Sequence, residues 1–154
     1  SIGGVSTSSN RRRKKKEYGE GEKSMAAWLS YAQTAERLKR PADAEVAYRK
    51  CLKMGFSRKA WQGLLELYLD HRSIRPALVA SSELVRADES SQKHRYEGPK
   101  CVMRALLRLI GEFGYNKVQS EWKALGGSSK DGCRNFIARV LKNALLWRVK
   151  GYDR

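Results

Sequence analysis

The chain has no long apolar stretch. Within its 154 residues no run reaches the roughly 18 apolar side chains that a membrane-spanning helix needs. Its first ten residues also lack the apolar core of a secretory signal. Because the first residue is Ser1 and not Met, we expect a fragment or a processed chain. The sequence therefore predicts neither a membrane span nor a secretory signal within these residues.

Cysteine and histidine are scarce. The three cysteines, Cys51, Cys101 and Cys133, are odd in number and widely spaced, which argues against a disulfide framework. The two histidines, His71 and His94, lie far apart and near no cysteine, and no Cys-x-x-Cys is present. A zinc site is therefore not expected. We expect buried or incidental thiols in a reducing compartment.

Acidic residues are only half as numerous as basic ones. The sequence contains 16 Asp and Glu against 32 Lys and Arg, which gives a net charge of +16 and an isoelectric point near 10.1. Such a chain is attracted to phosphate, either on nucleic acid or on anionic lipid headgroups. An acidic protein partner would match the same surface. This excess of positive charge indicates anionic partners and says nothing about the fold.

Residues 1–23 are predicted to form a disordered basic tail. They are rich in Ser, Gly and charge and lack apolar periodicity. A nuclear import signal, a lipid-facing patch and a nucleic-acid contact are all consistent with a basic run in this tail. The run is the candidate anionic-surface binding site, and its residues are Arg11, Arg12, Arg13, Lys14, Lys15 and Lys16.

Residues 24–154 are predicted to form one all-helical domain. Apolar residues recur at helical spacing from Ser24 onward, and no strand-like alternation is present. Residues 88–98 interrupt the pattern and are predicted to form a long polar loop. Seven helices are expected, at about 24–40, 42–54, from 57, from 76, 99–112, 114–125 and 131–147.

The first four helices form two repeats of one pattern. Trp28 and Trp61 begin the two units, 33 residues apart. Such units resemble tetratricopeptide repeats, in which small residues let two antiparallel helices approach closely. A small residue follows at the same offset of 12 in both units, from Ala32 to Ala44 and from Leu65 to Ala77.

The predicted fold is therefore an all-α, tetratricopeptide-like helical repeat, a short right-handed α-solenoid with a C-terminal capping helix. The last helix is expected to close the open end of the stack with a broad apolar stripe. That stripe contains Phe136, Ile137, Val140, Leu141, Ala144 and Leu145.

The sequence predicts no catalytic, cofactor-binding or metal-binding residue. Its carboxylates are scattered among helix faces that also carry Lys and Arg, which is typical of solvated surface charge. The stretch from Gly126 to Lys130 lacks the spacing of a phosphate-binding loop and follows a helix, not a strand. We therefore expect a protein that binds other macromolecules and is not an enzyme.

Two segments resemble a known family. One runs from Ala44 to Trp61, and the other contains Gly114-Tyr115-Asn116-Lys117-Val118 and the final stretch from Trp147 to Asp153. Both are similar to the C-terminal repeat region of the exomer cargo adaptors, the fungal ChAPs proteins. The resemblance covers residues 25–154, while the scaffold-binding N-terminal part of those adaptors has no counterpart here.

This resemblance implies a non-catalytic adaptor that sorts membrane-protein cargo from the trans-Golgi network to the cell surface. Its implied partners are cargo tails, an adaptor scaffold subunit and an Arf-type GTPase, with peripheral contact to an anionic membrane. The implied location is cytoplasmic, at the trans-Golgi network. The alternative hypothesis is a nuclear or nucleic-acid-associated helical scaffold that uses the basic tail, and this hypothesis depends on charge alone.

Deleting residues 1–23 is expected to leave the melting temperature unchanged and to weaken binding to acidic liposomes. The tail cannot bury enough apolar surface to offset its ordering entropy. Each basic residue near an anionic membrane contributes about 1 kcal/mol, and salt screens this contribution. Liposome sedimentation at low and high salt measures the effect. Equal binding by the truncated chain at low salt would show that the remaining basic residues supply the attraction.

Overall fold

A computed structural model describes residues 24–90, 98–126 and 132–149, and these residues contain helices and no strand. The prediction of an all-α fold is confirmed for this part of the chain. The basic run Arg11–Lys16 and the rest of the predicted tail lie outside it. The helices are α1 (24–37), α2 (Pro41–Met54), α3 (Arg58–Asp70), α4 (Ile74–Ser90), α5 (Gly98–Phe113), α6 (Tyr115–Ala124) and α7 (Cys133–Val149).

The chain divides into two compact units, residues 1–60 and 61–154. In the first unit α1 and α2 are antiparallel. The Cys51 thiol near the end of α2 lies 3.6 Å from the Met25 carbonyl oxygen near the start of α1. The Tyr48 hydroxyl donates a hydrogen bond of 2.9 Å to Glu36 Oε2 near the end of α1. The helices meet at small buried side chains, which are Ala32, Ala35, Ala44 and Ala47.

The turn that ends α1 is a hydrogen-bonded reversal with a left-handed residue. Lys39 has a φ of 58°, and its N–H donates to the Glu36 carbonyl at 3.0 Å. The N–H of Arg40 donates to the Ala35 carbonyl at 2.8 Å. This pair of bonds is the Schellman motif, which satisfies carbonyls that a helix end leaves without partners. The chain can therefore enter α2 directly at Pro41.

The turn that ends α3 repeats the first one bond for bond, 33 residues later. Arg72 has a φ of 57°, and its N–H donates to the Leu69 carbonyl at 3.1 Å. The N–H of Ser73 donates to the Tyr68 carbonyl at 2.8 Å. The period of 33 residues that the sequence pattern predicts thus also holds for the backbone.

In the second unit, helices α4 and α5 each pack on the next helix and on the one after it. Helix α4 packs on α5 and α6, α5 packs on α6 and α7, and α6 packs on α7. A single residue, Gly114, separates α5 from α6, and its φ of +84° is one that side-chain-bearing residues rarely adopt. The short connection keeps these two helices adjacent.

Most apolar residues at helical spacing are buried, and two expectations from the sequence pattern are wrong here. The spacing in α1 predicts that Trp28, Tyr31, Ala32 and Ala35 share one inward face, but Tyr31 is 53% exposed, because the small Ala32 and Ala35 occupy the buried side and the larger ring lies at its edge. The predicted loop at 88–98 begins too early. Helix α4 continues to Ser90, and Asp88 is buried within it, one turn beyond the buried Leu84. This last turn consists of polar residues, so a prediction based on apolar spacing does not detect it.

Replacing Ala77 with Leu is expected to destabilise the protein by about 1–3 kcal/mol, because added methylene groups have no space in a close helix contact. Ala77 has no exposed surface. The matched control is Ala124→Leu, since Ala124 lies on α6 in the same unit and is exposed. Urea denaturation of both variants measures the difference. An unchanged unfolding midpoint for Ala77→Leu would mean that α4 does not pack closely at this position.

Candidate functional site

The only site residues that the sequence predicts, Arg11–Lys16, lie outside the described residues. The structure therefore neither tests that prediction nor positions those side chains.

The described residues offer little reactive chemistry. They contain no group of three or more His, Cys, Asp or Glu side chains that could hold a metal ion. Burial raises the pKa of the Cys133 thiol, which keeps it in the less nucleophilic protonated form. Burial, and then the hydrogen bond to Glu36, raise the pKa of Tyr48, so this phenol stays protonated. Among the described residues no helix is long and apolar enough to cross a membrane.

Most described carboxylates are engaged in ion pairs. In the second unit, Glu121 pairs with Arg75 of α4 and with Lys117, and these partners lower its pKa in that order. Arg108 donates to Glu112 and Asp70, which raise its pKa. Such exposed pairs contribute little stability each. The carboxylates in ion pairs are Asp43, Glu45, Asp70, Glu83, Glu89, Glu112 and Glu121.

Helix α7 packs on α5 and α6 through one side only. The Phe136 ring stacks on Trp122 of α6, with 4.6 Å between ring centroids and 24° between planes. Cys133, Phe136 and Val140 are buried. Their spacing of three and four residues places them on one side of the helix, which is the side that contacts the rest of the unit.

The opposite side of α7 is exposed and partly apolar. Leu141 is 46% exposed and Leu145 is 62% exposed. Together with Arg134, Ala138 and Lys142, which are also exposed, they lie on one side of the helix. These five residues are called the α7 outer surface below.

The predicted capping stripe of α7 is therefore too broad. Phe136 and Val140 are buried as predicted, but Leu141 and Leu145 face solvent. The reason is geometric. The predicted stripe extends well beyond the arc of roughly 100° typical of a core-facing helix, and neighbours on one side cover only part of it. This excess width is the signal in the sequence that could have revealed an exposed apolar surface.

The α7 outer surface also carries positive charge that no described carboxylate neutralises. The α7 sequence contains four basic residues and no Asp or Glu. Arg139 pairs with Glu89 at 2.7 Å. Arg134 and Lys142 form no ion pair with a described residue. Apolar side chains and positive charge thus coincide on one helix surface.

A cluster of two aromatic rings and one lysine lies in the first unit. The rings of Trp28 and Tyr31 meet edge to face, with 6.0 Å between centroids. The Lys50 ammonium lies 4.4 Å from the centroid of the Trp28 ring, in cation–π geometry. This contact links α1 to α2, and it already occupies one face of the Trp28 ring. We therefore assign the cluster a packing role and take the α7 outer surface as the candidate site.

Comparison of the chain with models of protein families, with curated protein sequences and with solved structures finds no match.

Replacing Leu145 with Ala is expected to change the free energy of unfolding by less than about 0.5 kcal/mol, because the side chain is mostly exposed. Phe136→Ala is expected to destabilise by about 3–5 kcal/mol, because it removes a buried ring that packs against Trp122. Urea unfolding of the two variants measures this contrast. A large destabilisation by Leu145→Ala would mean that the residue packs within the fold and is not free to bind.

Proposed function

We propose that this chain is a non-catalytic protein-interaction module built from helical repeats. The observation that carries the proposal is the α7 outer surface, where Leu141 and Leu145 are exposed beside the exposed basic side chains of Arg134 and Lys142. Exposed apolar side chains grouped with polar ones are typical of protein interaction sites. The engaged carboxylates and the protonated, buried Cys133 thiol further favour binding over catalysis.

The proposed architecture is a tetratricopeptide-like α-solenoid with α7 as its last helix. Two features support it. The hydrogen-bonded turns at Lys39 and Arg72 recur with the period of 33 residues. In the second unit the contacts follow the order of the helices from α4 onward, with α4 and α5 each packing on the next two helices. Contacts of this kind are typical of repeat arrays, whose last member has an uncovered side.

The narrower proposal is an exomer-type adaptor at the trans-Golgi network, with cargo tails, a scaffold subunit and an Arf-type GTPase as partners. It is supported by the resemblance of Ala44–Trp61 and of the C-terminal segments. Several residues of the first segment are buried, among them Ala44, Tyr48 and Cys51. Their burial supports a helix packing similar to that of the adaptors, and it assigns no binding residue. Peripheral contact with an anionic membrane fits the net charge of +16.

A second candidate function is a nuclear or nucleic-acid-associated scaffold. The observation that favours it is the basic run Arg11–Lys16 in a chain with a net charge of +16. Such a run can bind phosphates or act as an import signal. On this proposal the helical domain would still bind proteins, and the tail would determine the location.

Proximity labelling in cells tests the general proposal. The full chain is fused to a biotin ligase, and the wild type is compared with the double variant Leu141→Ser, Leu145→Ser. We expect a set of labelled proteins to disappear with the double variant, because the polar side chains remove the apolar contact. The matched control is Leu107→Ser, since Leu107 on α5 is 65% exposed. Identical labelling by all three proteins would contradict a binding role for α7.

The same tagged wild-type chain distinguishes the two locations by microscopy. Puncta that coincide with a trans-Golgi marker support the adaptor proposal. A nuclear signal that is lost when Arg11–Lys16 are replaced by Ala supports the scaffold alternative and contradicts the adaptor.

A further inference from the structure

The α7 outer surface has a chemistry that narrows its partner. Leu107 on α5 and Val79 on α4 are each the one exposed large apolar side chain among the described residues of their helix. On α7, Leu141 and Leu145 are one turn apart, and Arg134 and Lys142 lie on the same side. A partner must therefore present apolar side chains and negative charge together.

We propose that the α7 outer surface binds an acidic amphipathic helix of a partner protein. This inference depends on the proposed function and specifies its partner class. Leu141 and Leu145 form an i, i+4 ridge of the kind that packs into the groove of a second helix. The short side chain of Ala138, one turn before Leu141, leaves room for the partner's apolar residues to approach the helix backbone.

The positive charges determine which helix fits. Arg134 and Lys142 are eight residues apart, which places them about 12 Å apart along the helix axis. Carboxylates two turns apart on a partner helix match this distance. A second copy of this chain would oppose the same positive charges with its own, since α7 contains no acidic residue. Like-charge contacts of this kind disfavour association, so charge complementarity selects an acidic partner.

The arrangement suits a helix better than an anionic membrane. Lys142 lies between Leu145 and Leu146 around the helix, and Leu146 is also exposed. Inserting both leucines into a bilayer would require the Lys142 side chain between them to extend back to the headgroups. A partner helix can instead place a carboxylate opposite Lys142 while its apolar residues cover Leu145.

Titration with designed peptides tests this inference. The acidic probe is a stapled helical peptide of about 18 residues with Leu at positions i, i+3, i+4 and i+7 and Glu on both flanks, a pattern matched to helix-in-groove recognition. The comparison peptide has Lys at every Glu position. Fluorescence anisotropy with the full chain measures the dissociation constants. We expect the acidic peptide to bind, the Lys peptide not to bind, and added salt to weaken the complex.

Variants locate the binding surface. Leu145→Ala and Lys142→Glu are each expected to weaken binding about tenfold, which corresponds to about 1.4 kcal/mol. The matched controls are Leu107→Ala and Arg104→Glu on α5. Leu107 is an exposed leucine like Leu145, and Arg104 is an exposed basic residue like Lys142. Circular dichroism and melting temperature verify that each variant is folded.

Three results would overturn the inference. The first is equal binding of both peptides, or of neither. The second is acidic-peptide binding that all four variants retain, which would assign the attraction to net charge. The third is binding to phosphatidylserine-containing vesicles that Leu145→Ala abolishes, which would make a membrane the occupant. Loss of labelled proteins in cells without peptide binding would leave the proposed function standing and reject only this partner class.

Discussion

The burial of small side chains on successive helices is the constraint on which much of this structure depends. At Ala44 and Ala77 the side chain is fully buried, so a larger side chain at either position would have to displace its neighbours. The larger Tyr31 is instead 53% exposed. The left-handed turns at Lys39 and Arg72 end α1 and α3 within a few residues, and α2 and α4 begin directly after them.

Packing between successive helices has a second consequence at the end of the second unit. Helix α7 contacts α5 and α6, and these neighbours bury Phe136 and Val140 but not Leu141 and Leu145. The exposed leucines are therefore a result of the packing order and not of a weakly apolar helix. Among the described residues no helix covers this apolar side of α7.

Electrostatics act on the same surface. The described carboxylates are mostly engaged in ion pairs, several of which connect different helices, as Glu121 does with Arg75 and Glu89 with Arg139. Because basic residues outnumber acidic ones by two to one, positive charges are left without counterions. Arg134 and Lys142 lie beside the exposed leucines of α7. The excess positive charge at this surface favours acidic partners.

The sequence by itself determined the helical class, the repeat period and most of the buried residues. Apolar spacing specifies the inward side of a helix such as α4, and the 33-residue period is visible from Trp28 and Trp61 together with the equal offsets inside the two units. The sequence did not determine where α4 ends, because the polar run that begins at Asp88 has the composition of a loop although it continues the helix to Ser90. Nor did it show that Leu141 and Leu145 are exposed. Periodicity ranks the sides of a helix by polarity, but only the number and position of packed neighbours decide how much of an apolar side is covered.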